Sequence, residues 1–79
     1  MKCATWWFVD VLQLLEKRFP TPRGYTRPHF FCGPGETFFV TAIVRGVASD
    51  LQVDDDDFEL SPDKFVDKFA NGFEPPRAT

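Results

Sequence analysis

The residues of this chain with the most chemistry in them are carboxylates: Asp54, Asp55, Asp56 and Asp57 stand in an unbroken run, with Asp50 before it and Glu59 after it. Four adjacent carboxylates repel one another and add nothing to a hydrophobic core. Their use has to be sought in a solvated loop, a cation site or a negative surface offered to a basic partner. A calcium loop makes the strictest demands of these and is not met. Counting from Asp54, the sixth position, where glycine is required, is Glu59, and the twelfth, where a bidentate glutamate is required, is Phe65. Protection of a sheet edge against aggregation is a plainer use of the same charges.

The other reactive side chains give less. His29 and Cys32 form H-x-x-C, and Cys3 would be a third zinc ligand, but no fourth is evident. The expectation is instead a partly buried cysteine behaving as a small hydrophobe beside a histidine at a strand end. Nucleophilic chemistry by Cys32 with His29 lacks a third, orienting group. The segment CGPGE has no Lys followed by Ser or Thr, as a phosphate loop requires, and reads as a turn between two apolar runs. Nothing sets one carboxylate of the second half apart as a general acid or base. The reading is recognition without catalysis, cofactor or metal.

The elements that must hold these residues follow from hydropathy. Between Thr5 and Phe19, Trp7, Phe8, Val11, Leu12, Leu14, Leu15 and Phe19 recur at helical spacing, Thr5 is placed to cap, and Pro20 and Pro22 stop the helix. Trp6 falls at the edge of this stripe and is expected to be exposed. Residues 20–28, with three prolines and one glycine, predict a rigid extended connection. His29 to Cys32 and Thr37 to Val47 predict a hairpin, with Phe38, Val40, Ala42 and Val44 on its core face and Phe39, Thr41, Ile43 and Arg45 on the other. Leu51 to Val53 and Phe58 to Leu60 predict one interrupted strand or two short ones, with the aspartates at a turn or an edge. Ser61 and Pro62 open a second helix with Phe65, Val66 and Phe69 inward, ended near Ala70 by Asn71 and Gly72, and a frayed tail from Glu74. The fold expected is α+β, in one compact domain spanning 1–79: an N-terminal helix, a small antiparallel sheet of two to three strands and a C-terminal helix, both helices on one face.

Charge narrows the function further. Residues 1–45 hold six Lys or Arg against three acids, and residues 46–79 hold three against nine, within a net charge of −3. The acidic half repels phosphates, so direct DNA binding is not expected, and Lys17 and Arg18 read as complements to a helix C-terminus. Lys2 and the apolar stretch after it are followed by Asp10 and no small-residue cleavage site, and no stretch reaches the ~18 apolar residues of a membrane span. The two cysteines read as reduced, and the expected location is the cytoplasm. In an extended segment alternate side chains repeat at about 6.6 Å, so Asp54 and Asp56, or Asp55 and Asp57, would present carboxylates in a row that imitates a phosphate backbone. Glu59 continues that row. Asp63 and Asp67, four apart on one helical face, would enlarge it.

In size, charge and texture, and in the run Asp54 to Asp57 with Glu59, the chain resembles the very small acidic anti-CRISPR proteins of phages and mobile elements, and among them inhibitors of the type I-C system. The resemblance implies a monomeric inhibitor in a bacterial cytoplasm. It implies as partner the basic surface with which the DNA-binding subunit of a type I CRISPR complex recognises DNA, with Asp50, Asp54, Asp55, Asp56, Asp57 and Glu59 standing in for phosphates. The basic first half leaves room for a contact centred on Trp6, Arg23, Tyr25 or Arg27. The alternative is an interaction module, such as an antitoxin or phage assembly factor, using an apolar patch around Trp6 and Trp7.

Overall fold

Residues 5–73 are described by the structure, a computed structural model, with the side chains of Thr5 and Phe73 outside the description. The cap expected at Thr5, the ligand role considered for Cys3 and the frayed tail from Glu74 therefore lie outside the described residues. In chain order the elements are helix α1 (Thr5–Arg18), strands β1 (His29–Cys32), β2 (Phe38–Val44) and β3 (Val47–Gln52), and helix α2 (Pro62–Phe73). Two short 3-10 turns, Pro34–Glu36 and Asp55–Glu59, complete them. The strands form one antiparallel sheet in the order β1-β2-β3, so the α+β architecture expected from the sequence is the one adopted.

The helical spacing of the first segment places Trp7, Val11, Leu15 and Phe19 on one buried stripe, with Phe8, Leu12 and Leu14 half-buried at its margins. Trp6 is 62% exposed, as its place at the stripe's edge requires. On β2 the alternation sends Val40, Ala42 and Val44 into the same core, and strand pairing adds Phe30 and Leu51 to that face. Phe65, Val66 and Phe69 of α2 join the same cluster, so both helices cover one face of the sheet. The opposite face carries no helix. There Phe31 stacks beside Phe39 with ring centroids 5.4 Å apart, and Ile43 is buried.

Three boundaries differ from expectation. The long β run breaks at Arg45 and Gly46, both at positive φ (56° and 80°), which makes a two-residue hairpin turn and returns the chain as β3. The signal was hidden because arginine is not a residue expected at positive φ. Phe58 to Leu60 forms no strand: Phe58 and Glu59 lie in the second 3-10 turn, and Leu60 ends it. Helix α2 continues through Asn71 and Gly72 to Phe73. One glycine costs a helix only about 1 kcal/mol, and the burial of Phe69 and Ala70 holds the last turn in place.

Candidate functional site

The acidic segment starts where the sheet ends. Val53 is buried and its N–H donates to the Phe38 carbonyl at 2.8 Å, which extends the β2–β3 pairing by one residue before the chain turns. Asp54 is extended, and the next five residues wind into the 3-10 turn. The Asp57 N–H donates to the Asp54 carbonyl at 2.9 Å, and the Leu60 N–H donates to the Asp57 carbonyl at 3.0 Å.

This geometry corrects the expected row of carboxylates. In a 3-10 turn, residues three apart lie over one another. Asp56 therefore shares a side with Glu59, Asp55 shares a side with Phe58, and no ladder at strand spacing forms. Asp57 departs furthest from expectation, because it is 3% exposed. One of its oxygens, Oδ2, accepts the Asp54 backbone N–H at 2.8 Å. The other, Oδ1, accepts Lys68 Nζ of α2 at 2.7 Å. A carboxylate with both oxygens occupied inside the protein offers nothing to a partner, and its work is to hold the turn. The spacing Asp54-x-x-Asp57 ahead of an apolar residue is the legible trace of this, since a side chain three residues into a turn can reach back to its first N–H.

The turn is also held from the core side. Trp7 Nε1 donates to the Leu60 carbonyl at 2.8 Å, and the Trp7 ring lies 5.1 Å from that of Phe58 and 5.2 Å from that of Phe65. Phe8 and Phe38 approach Phe58 as well, at 5.8 and 6.3 Å. The abundant phenylalanines thus have a purpose beyond bulk burial, because edge and stacked contacts of this kind stabilise by about 0.5–1.5 kcal/mol beyond area. They fix the base from which Asp54, Asp55, Asp56 and Glu59 point outward, all four being exposed.

The remaining residues named from the sequence separate into two groups. Asp50 is exposed in β3, opposite Thr41 on the helix-free face, and is followed on that face by Gln52, whose Nε2 donates to Asp54 Oδ1 at a long 3.4 Å. It belongs with the acidic turn. Asp63 and Asp67 lie instead on α2 beside the C-terminal end of α1. Asp67 pairs with Arg18 at 3.7 Å, and Asp63 and Lys17 line one surface depression. Asp67 is thus answered by a cation of α1, and Asp63 lies with it on the side of α2 that faces α1, apart from the acidic turn. Glu36 was missed by sequence reasoning. It stands at the end of the first 3-10 turn and lines a groove with Asp54, Asp55 and Phe58, brought there by the hairpin register. Among the described residues no cation pairs with Glu36, Asp50, Asp55, Asp56 or Glu59.

Strand alternation sends His29 and Cys32 to opposite faces of the sheet, so the H-x-x-C pair diverges. His29 Nδ1 lies 2.9 Å from the Arg27 carbonyl, and Cys32 is an exposed free thiol rather than the partly buried one expected. Among the described residues no three His, Cys, Asp or Glu side chains are grouped to hold a metal ion, and no helix is long and apolar enough to cross a membrane. Comparison with protein-family models, curated proteins and solved structures finds no match to this chain.

Proposed function

We propose that this protein is a non-catalytic inhibitor that binds a basic, DNA-recognising protein surface through its acidic turn. The resemblance to the small acidic anti-CRISPR proteins supplies the partner: the DNA-binding subunit of a type I surveillance complex, which would lose access to its target. The observation that carries the reading is the state of Asp54, Asp55, Asp56 and Glu59, exposed on a short turn, while Asp57 beneath them is spent on holding that turn. Carboxylates on a pre-formed support lose little entropy on binding, and they attract Lys and Arg through charge-assisted hydrogen bonds. Asp50, on the strand that leads into the turn, and Glu36, across the groove from it, extend the negative surface beyond the turn.

The test is a DNA-binding competition with a type I-C surveillance complex at moderate salt. The protein should block duplex binding, and the triple variant Asp55→Asn, Asp56→Asn, Glu59→Gln should fold normally and lose the block. Asp57 has to be left intact, since its loss would confuse an effect on binding with one on the fold. Full inhibition by the triple variant would remove the acidic turn from the mechanism.

A second reading draws on the exposure of Trp6 (62%) and Val9 (46%), three apart on α1. An interaction module would use this small apolar strip. Trp7 takes no part, being a core residue at 1% exposure. Light scattering separates the two, because the inhibitor should stay monomeric at high concentration while a module of this kind should self-associate and lose that tendency on Trp6→Ser.

A further inference from the structure

We infer that the groove between the first 3-10 turn and the acidic turn is a receptor for an arginine side chain of the basic partner, which rests on the acidic-surface reading and sharpens it. The groove is shallow, about 430 Å³, and is lined by Glu36, Gln52, Asp54 and Asp55 around Phe38 and Phe58. The Phe38 and Phe58 rings are roughly parallel, with centroids 6.3 Å apart and planes 29° from one another, and Phe58 remains 36% exposed. An exposed aromatic surface bordered by three carboxylates from two separate segments is an unusual lining, and it narrows what can fill the groove.

Charge complementarity decides the occupant. An aliphatic side chain would cover the rings but strip water from Glu36 and Asp55, which have no cation of their own among the described residues. A phosphate would be repelled. A cation satisfies the carboxylates, and arginine does more than lysine: its flat guanidinium stacks on a ring face while its fork of N–H groups reaches flanking carboxylates. A lysine ammonium is a strongly hydrated point charge and gains less from the rings. The acidic turn would attract the basic surface as a whole, and the groove would seat one arginine of it.

The experiment titrates two probes, acetyl-hexaarginine amide and acetyl-hexalysine amide, into the intact ¹⁵N-labelled protein at low salt. The arginine peptide should shift the amides of Glu36, Thr37, Gln52 and Phe58 and bind about fivefold more tightly than the lysine peptide. Phe58→Leu and Glu36→Gln should each lower arginine affinity to the lysine level. Glu36 is exposed and pairs with no described residue, so that variant stays informative if Phe58→Leu disturbs the aromatic cluster. Equal affinities, with shifts confined to Asp56 and Glu59, would overturn the arginine receptor while leaving the acidic surface standing. Failure of both peptides to bind would overturn both.

Discussion

Asp57 differs from its three neighbours in everything but its chemical type. Its carboxylate lies within the protein between the Asp54 N–H and Lys68, whereas Asp55 and Asp56 are exposed with no described partner. Removing one member of a buried pair leaves the other polar groups without partners, but Lys68 is 42% exposed and can recover water, which moderates the loss. Asp57→Asn should therefore lower unfolding free energy by about 1–3 kcal/mol, measured by urea titration. Asp55→Asn should stay within about 0.5 kcal/mol of the parent. The sequence could not make this distinction, since four identical letters give four identical local readings and Lys68 lies eleven residues further on. The two tryptophans were legible in part, because the helical stripe predicted Trp6 exposed. What the stripe did not contain is the long-range bond from Trp7 Nε1 to the Leu60 carbonyl. Trp7→Phe keeps most of the packing and removes that donor, so a loss of about 1–2 kcal/mol is expected, with the amide of Phe58 or Leu60 exchanging faster.

Among the elements, the β2–β3 hairpin holds the most correctable local conflict. Its turn places Arg45 at φ 56° and Gly46 at φ 80°, and an L-residue other than Asn, Asp or Gly gives up roughly 1 kcal/mol in that region. Asn followed by Gly is the preferred pair for such a turn. Arg45→Asn should then raise stability by about 0.5–1 kcal/mol, seen as an increase of several degrees in Tm, and no change would mean that the arginine side chain makes up the difference elsewhere. This turn also explains where the sequence reading ran out. Both helices, the first hairpin and the core face of β2 were fixed by period and by proline, signals that local chemistry imposes. The turn of the second hairpin falls inside the strand expected over Thr37 to Val47 because an arginine stands there, whereas the strand expected from Leu51 to Val53 is the latter part of β3 and its extension; Phe58 to Leu60 reads as a strand because it is too short a window to separate strand from 3-10 turn. Glu36 shows the same limit at the site. Its approach to Asp54 and Asp55 depends on the register Cys32 to Phe38 and Phe39 to Gln52, which no local pattern specifies.

At the scale of the molecule, six Lys or Arg against three acids in residues 1–45 and three against nine in residues 46–79 make the sequence a charge dipole. The fold folds part of that dipole back on itself: Arg18 meets Asp67 at 3.7 Å, and the Asp57–Lys68 pair lies wholly within the second half. Arg27 meets Glu16 at 3.4 Å in the first. Among the described residues, most acids with no cation paired to them, Glu36, Asp50, Asp54, Asp55, Asp56 and Glu59, lie at or beside the acidic turn, while Asp10 and Asp63 stand apart from it. A surface of that kind acts first on encounter, because exposed charges guide approach over about 8–10 Å at physiological salt and are screened beyond it. Association with a basic partner should consequently slow as salt rises, by about tenfold in on-rate between low and physiological ionic strength, with a smaller change in off-rate. The triple variant Asp55→Asn, Asp56→Asn, Glu59→Gln should begin with a slower on-rate and respond less steeply to salt, whereas Asp67→Asn, which removes a charge already answered by Arg18, should keep nearly the parent slope. Surface plasmon resonance across a salt series would read all three, and parallel slopes for the parent and the triple variant would show that the acidic turn does not steer the partner.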